Sequence, residues 1–135
     1  MRLTAAALAA LAVVVLAGCG GSGAGDEGEA AIDLTLTLWP TGAAGDSISW
    51  RLQCEPTGGN HPEAETACAA LTAAKDPFGN VPPPPRCKEI PGSNPEVAVL
   101  EGDFRGRKIR ESFERANACV SGRWDRIAPV FPTGF

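Results

Sequence analysis

Histidine occurs once in this sequence, at position 61, and no Cys-x-x-Cys pair is present. These absences argue against a zinc site and against a thioredoxin-like redox site. There is also no serine in a nucleophile motif and no phosphate-binding loop. The net charge is −4, so nothing indicates binding to nucleic acid. We therefore expect a protein that is not an enzyme and that needs no cofactor or metal ion.

An apolar run from Ala5 to Leu16 follows Arg2 at the amino terminus. This arrangement predicts an export signal over residues 1–18. The run is shorter than the roughly 20 residues that a membrane-spanning helix needs. The four residues that end at Cys19, Leu-Ala-Gly-Cys, resemble the lipobox of bacterial lipoproteins, in which cleavage leaves the cysteine first and lipid is attached to it. The alternative is an ordinary signal peptide with a cysteine that follows it by chance.

Residues 19–29 are rich in glycine and acidic side chains after the cysteine, which predicts a flexible tether. The remaining residues, 30–135, suffice for one domain with one modest core. The expected location is extracellular, either secreted or anchored to the outer face of the cell membrane as a lipoprotein. Contact with the membrane is expected only through the lipid on Cys19.

Four cysteines lie within the domain: Cys54, Cys68, Cys87 and Cys119. An even number of cysteines in a small exported domain predicts two disulfides. Four cysteines allow three pairings, and their spacing alone does not choose among them.

Alternation of apolar and polar residues predicts strands near the start of the domain. A proline at position 62 suits the first turn of a helix, and acidic residues follow it. The predicted elements are strands 32–38 and 48–54, a helix from 62 to about 75, an extended proline run 81–86, strands 95–100 and 108–113 joined by residues 101–106, a helical stretch 120–126 and a short edge strand 130–131. This order indicates an α+β fold with an antiparallel sheet and helices on one face. The basic residues within 105–110 fit a turn and a solvated strand face better than an anion site.

The most specific pattern in the chain spans residues 54–71 and is written Cys-x-Pro-x-x-Gly-x-His-Pro-x-x-x-x-Ala-Cys-Ala-x-Leu. It is similar to the signature of the Streptomyces subtilisin inhibitor family. The residues in register are Cys54, Pro56, Gly59, His61, Pro62, Ala67, Cys68, Ala69 and Leu71. The resemblance continues through Gly106-Arg107-Lys108, an Asn-x-Cys element that ends at Cys119, and Val130-Phe131, so that it covers roughly residues 34–135. His61 is interpreted as a turn and capping residue rather than a catalytic one.

The resemblance implies a five-stranded antiparallel sheet with two helices packed on one face. It also implies the disulfides Cys54–Cys68 and Cys87–Cys119. The implied function is inhibition of serine proteases by an exposed, rigid loop that enters the enzyme cleft as a substrate would. Members of the family commonly pair through their sheets, so a homodimer is a further expectation.

Carried over to this sequence, the reactive-site bond lies between Glu89 and Ile90. The surrounding loop contains Arg86, Cys87, Lys88 and Pro91, and the side chain of Asn117 braces the loop from behind.

The identity of the target protease follows from the residue that enters the specificity pocket. Glu89 suits a glutamate-selective enzyme, because an apolar pocket would have to desolvate its charge. A shift of one residue would instead offer Lys88 to a trypsin-like enzyme. Pro91 lacks a backbone N–H and so removes one donor for pairing with the enzyme. The partner is therefore expected to be a subtilisin-like, trypsin-like or glutamate-selective serine protease. The alternative is a non-inhibitory cell-envelope lipoprotein that uses the same scaffold as a binding module.

Overall fold

The computed structural model describes residues 29–88 and 94–134, which form a five-stranded antiparallel sheet with helices on one face. The elements are β1 (Ile32–Trp39), β2 (Ile48–Cys54), β3 (Gly58–Gly59), α1 (Ala64–Ala73), β4 (Val97–Phe104), β5 (Arg107–Glu114), α2 (Gly122–Arg126) and a 3-10 helix (Ala128–Val130). The strand order across the sheet is β3-β2-β1-β4-β5. The predicted α+β class is confirmed.

Strand β1 lies at the centre of the sheet and supplies its most deeply buried row. Its alternate residues Ile32, Leu34, Leu36 and Leu38 are at most 1% exposed. The strand pairs on one side with β2 and on the other with β4. The period-two pattern in the sequence therefore marked the core face of this strand correctly.

Helix α1 packs on the core face through Ala67, Cys68 and Leu71. It is shorter at both ends than the predicted span of 62 to about 75. His61 lies just ahead of it and is only 5% exposed. The backbone N–H of Glu63 donates to His61 Nδ1 at 3.1 Å, so the ring proton sits on Nε2 and is donated to the carbonyl of Val130 at 3.0 Å. The histidine therefore satisfies the backbone N–H of Glu63 just ahead of α1 and a carbonyl near the carboxyl end of the domain, whereas α1 itself has no side-chain cap.

The carboxyl-terminal residues complete the core rather than extend the sheet. Val130 belongs to the 3-10 helix, and Phe131 stacks on Trp124 with ring centroids 4.0 Å apart. The predicted edge strand at Val130-Phe131 is wrong. Proline at position 129 lies in the first turn of the 3-10 helix, where its fixed φ is favourable and its missing N–H is not needed.

Strands β4 and β5 form a longer hairpin than predicted, and the proposed connection over 101–106 is wrong. The turn consists of Arg105 and Gly106, which both have positive φ, as a two-residue type I′ turn requires. The strand continues through Gly102, whose φ is +138° and whose added Cβ would lie 2.3 Å from the carbonyl oxygen of Asp33. A glycine that suggested a turn in the sequence thus allows β4 to approach β1 closely.

The solvent face of the sheet carries cross-strand ion pairs. Arg51 donates from Nε to Asp33 Oδ1 at 2.8 Å, and this hydrogen bond lowers the pKa of the Asp33 carboxyl. Lys108 pairs with Asp103 and Arg110 with Glu101, the opposite residues on β4. The basic stretch therefore forms a solvated strand face, as predicted.

Candidate functional site

The segment from Val81 to Lys88 is the part of the candidate loop that the structure describes. Residues 82–86 and Lys88 are exposed, whereas Val81 and Cys87 are half-buried. The proline run is not extended to its end, because the Cys87 N–H donates to the carbonyl of Pro84 at 3.2 Å and closes a turn. Proline in the second position of this turn and a positive φ of 61° at Arg86 in the third are features of a type II turn. The chain therefore bends sharply just before the cysteine.

Two disulfides link the cysteines of the domain in the pairing that the family resemblance implies. Cys54 and Cys68 have Cα atoms 5.6 Å apart, and their bridge joins the end of β2 to α1. Cys87 and Cys119 have Cα atoms 5.3 Å apart, and their bridge joins the loop to the chain just ahead of α2. The first bridge is buried in the core, and the second lies beneath an exposed loop.

Asn117 organises the bend that presents Cys119. Its side-chain Oδ1 accepts a hydrogen bond from the backbone N–H of Cys119 at 2.8 Å. Its carbonyl oxygen accepts from the N–H groups of Val120 and Ser121 at 3.1 and 3.0 Å. Asn117 thus supports the disulfide partner of the loop. Its predicted contact with the loop itself lies outside the described residues and stays a prediction.

Arginines of α2 hold the segment that leads into the proline run. We call this segment, residues 76–81, the loop root. Arg126 donates from Nη1 to the carbonyls of Asp76 and Gly79 at 2.7 and 3.1 Å. Arg123 donates from Nη2 to the carbonyl of Phe78 at 3.1 Å. No sequence motif pointed to these contacts, and the spacing of two arginines by three residues in a predicted helix is their only signal.

The disulfide that closes the candidate loop lies at one end of the sheet, whereas Phe78 in the loop root packs on Phe104 at the other end. Trp39 at the end of β1 pairs with Val97 at the start of β4, and Val97 pairs with Glu114 at the end of β5. The loop returns to the sheet just ahead of Val97, and Cys119 follows Glu114 by five residues. Ile32, where β1 begins, lies at the other end of the sheet, where it pairs with Phe104.

The predicted reactive-site residues Glu89 and Ile90, together with Pro91, lie outside the described residues, as does the predicted lipidation site Cys19. Arg86, Cys87 and Lys88 lie together on the amino-terminal side of that bond. No group of three or more histidine, cysteine, aspartate or glutamate side chains suited to a metal ion occurs within residues 29–88 and 94–134. In the same residues no helix is long and apolar enough to cross a membrane.

Comparison with known proteins places this geometry in a family. A family model described as "Subtilisin inhibitor-like" matches residues 29–119. The chain is also similar to Subtilisin inhibitor-like protein 1 of Streptomyces cacaoi, with 34% identity over 87 residues, which is 58% of this chain and 76% of the relative. The matched region includes both disulfides, the loop root and Asn117. The chain therefore belongs to the subtilisin inhibitor-like family.

Proposed function

We propose that this protein inhibits serine proteases by presenting the loop around Glu89–Ile90 as a substrate-like segment that is hydrolysed slowly. Membership of the subtilisin inhibitor-like family supports a protease inhibitor function in general terms. The observation that carries the loop assignment is the bridge from Cys87 to Cys119, which fixes an exposed segment two residues ahead of the proposed bond. An inhibitor of this kind is not an enzyme, and its partner is the protease.

Preorganisation is the physical basis of the proposed inhibition. A segment that is already held in its bound shape loses little conformational entropy when it enters the enzyme cleft as an added strand. The proline run restricts the backbone before Cys87, and the disulfide restricts it at Cys87 itself. The exposure of residues 82–86 and of Lys88 leaves this side of the loop accessible to an enzyme.

A direct test is to incubate the purified protein with subtilisin, trypsin and a glutamyl endopeptidase, and to map any cut by mass spectrometry. We expect a stoichiometric complex with at least one of these enzymes and slow cleavage between Glu89 and Ile90. Rapid digestion by all three enzymes without residual inhibition would refute the proposal and favour a non-inhibitory binding module.

A matched pair of variants identifies the residue that enters the specificity pocket. Glu89→Gln and Lys88→Gln each replace one charged side chain by the same neutral amide at adjacent positions. If Glu89 enters the pocket, Glu89→Gln weakens inhibition of the glutamyl endopeptidase and strengthens inhibition of subtilisin, because the carboxylate no longer has to be desolvated. Loss of trypsin inhibition in Lys88→Gln alone would assign the pocket to Lys88 and contradict the proposed bond.

Export and lipid attachment at Cys19 complete the proposal for the cell. A glycine-rich tether between Cys19 and the domain leaves the inhibitor free to reach proteases outside the membrane. Cys19→Ala should abolish incorporation of a labelled fatty acid and release the protein into the medium. Unchanged membrane retention of this variant would argue against the lipid anchor.

Pairing of two copies through their sheets is the last part of the proposal. The solvent face near the loop end of the sheet carries half-buried Trp39, Val97 and Val99. Sedimentation equilibrium of the purified domain should give twice the monomer mass, and a monomer at all accessible concentrations would rule this out.

A further inference from the structure

We propose that Arg126 and Arg123 are positioning residues that make the inhibitory loop resist hydrolysis, by fixing the loop root on the same short segment that carries Cys119. This inference rests on the proposed inhibitory function. It names the residues that hold the amino-terminal end of the loop, whereas the disulfide holds the loop at Cys87. Neither arginine is expected to touch the protease.

Arg126 joins separate parts of the loop root through one guanidinium group. Its Nη1 donates to the carbonyls of Asp76 and Gly79, and its Nη2 lies 3.5 Å from the carbonyl of Asn80. The N–H of Gly79 donates to the carbonyl of Asp76 at 3.3 Å, so the root itself is a turn. A planar guanidinium presents several donors in a fixed arrangement, whereas a lysine ammonium is a compact point charge. The geometry therefore requires arginine rather than positive charge alone.

Arg123 anchors the same turn from deeper in the molecule. Its Nη2 donates to the carbonyl of Phe78 and to Glu111 Oε2 at 2.6 Å, and its Nη1 donates to the carbonyl of Ser112 at 3.0 Å. The guanidinium also lies 4.9 Å from the centre of the Phe113 ring. The loop root, β5 and α2 are thus joined at one side chain.

The loop root also packs on α2 through a close approach between Val81 and Gly122. An added Cβ at Gly122 would lie 2.6 Å from Val81 Cγ1 and 3.1 Å from Val81 Cβ. Glycine is the poorest helix former after proline, so its position at the start of α2 is explained by this packing rather than by the helix.

Through these contacts, residues 119–126 hold both ends of the exposed stretch of the loop. The segment holds the loop covalently through Cys119 and holds the loop root through Arg123 and Arg126. The exposed stretch 82–86 between them is therefore fixed at both ends. When a protease attacks the Glu89 carbonyl, its serine is acylated and the amine of Ile90 is released. Because the acyl part stays fixed to the domain that also carries this amine, the amine can attack the ester again, re-form the peptide bond and release the serine, in competition with water.

The experiment measures inhibition and hydrolysis in parallel for three variants. Arg126→Ala removes the anchoring group. Gly122→Ala pushes Val81 away while it improves helix propensity, so it perturbs the loop root without weakening α2. Arg51→Ala is the matched control, because it removes an exposed ion-paired arginine on β2, which β1 and β4 separate from the β5 edge of the sheet beside the loop root.

We expect Arg126→Ala to be cleaved at the loop at least about tenfold faster than the unmodified protein, because it loses the hydrogen bonds from a charged group to the carbonyls of Asp76 and Gly79. Gly122→Ala should also be cleaved faster, because its methyl group displaces Val81. The association rate with the protease should change little, because the contacting residues are retained. Arg126→Lys should not restore slow hydrolysis. Hydrolysis rates equal to that of Arg51→Ala, or full rescue by lysine, would overturn the proposal.

A second measurement separates this inference from the proposed function. The Cys87 N–H is hydrogen-bonded to Pro84, so its exchange with solvent reports on the loop in the absence of any protease. Faster exchange at Cys87 in Arg126→Ala than in Arg51→Ala would support the positioning role even if the protein inhibits none of the enzymes tested. Unchanged exchange would refute the positioning role even if inhibition is found.

Discussion

Removal of each disulfide in turn should separate the stability of the domain from the function of the loop. The two double variants are Cys87→Ser/Cys119→Ser, at half-buried positions, and Cys54→Ala/Cys68→Ala, at positions that are 1% and 7% exposed. Serine suits the first pair because a hydroxyl there can reach water, and alanine suits the second because it adds no polar group to the core.

The loss of stability can be worked out from the chain length that each bridge spans. The sequence separations are 32 residues for Cys87–Cys119 and 14 for Cys54–Cys68. The chain-entropy relation then gives about 3.7 and about 3.0 kcal/mol for the two bridges. Removal of the buried sulfur atoms adds a cavity cost of about 1–2 kcal/mol to the second variant. We therefore expect the variants to lose similar amounts, about 4 and about 4–5 kcal/mol.

Function should nevertheless differ sharply between the two variants. The assay is urea unfolding for the free energy, together with titration of a protease that the unmodified protein inhibits, at a temperature where both variants are folded. The variant without Cys87–Cys119 should become a substrate, because its loop loses its attachment to the segment ahead of α2. The variant without Cys54–Cys68 should still inhibit. If inhibition declines in parallel with stability in both variants, the argument that the loop bridge acts by preorganisation is wrong.

Three further changes test other parts of the structure. His61→Ala leaves the buried carbonyl of Val130 and the N–H at the start of α1 without partners, and should cost about 2–4 kcal/mol in urea unfolding. Asp33→Asn should lower Tm by less than about 5 °C at pH 7, because its ion pair with Arg51 is exposed. Because the folded state lowers the pKa of the Asp33 carboxyl, its contribution to stability is complete above the unfolded value of about 4. The difference between the two proteins should therefore shrink as the pH falls below about 4 and vanish once the pH lies below the folded pKa. Gly102→Ala should cost about 2 kcal/mol or more, because its Cβ would meet a backbone carbonyl of β1.

The sequence predicted the sheet best where a strand is half-buried along its whole length. Residues 32–38 alternate without interruption, and the observed strand extends the prediction by one residue. The hairpin was predicted too short because Gly102 and Arg105 both lie in stretches whose composition suggests a turn, and only the packing against β1 distinguishes them. The two-residue strand β3 was not among the predicted elements, since two glycines carry no alternation.

Only the parts of the candidate site that involve cysteines or the family pattern could be predicted from the sequence. Both disulfides were predicted from the family resemblance. Asn117 was predicted to brace the loop, and its described side-chain hydrogen bond is to the backbone N–H of Cys119. The contacts of Arg123 and Arg126 were missed because they go to backbone carbonyls about 45 to 50 residues earlier in the chain. Every residue carries a backbone carbonyl, so the sequence pattern cannot identify which carbonyl accepts a hydrogen bond from an arginine.

The central position of β1 gives the molecule two unlike poles. The chain enters at Ile32, and the eight residues of β1 carry it about 25 Å to the pole where the disulfide of the loop lies. Cargo attached directly at residue 29, such as a resin or a fluorophore, would thus sit on the far side from an enzyme docked at the disulfide end of the loop. Thr133 and Gly134 instead line a cleft of about 330 Å³ with Leu38 and Glu96 at the loop pole. Immobilisation through the amino terminus should therefore leave the inhibitor accessible, whereas a bulky carboxyl-terminal fusion should crowd it.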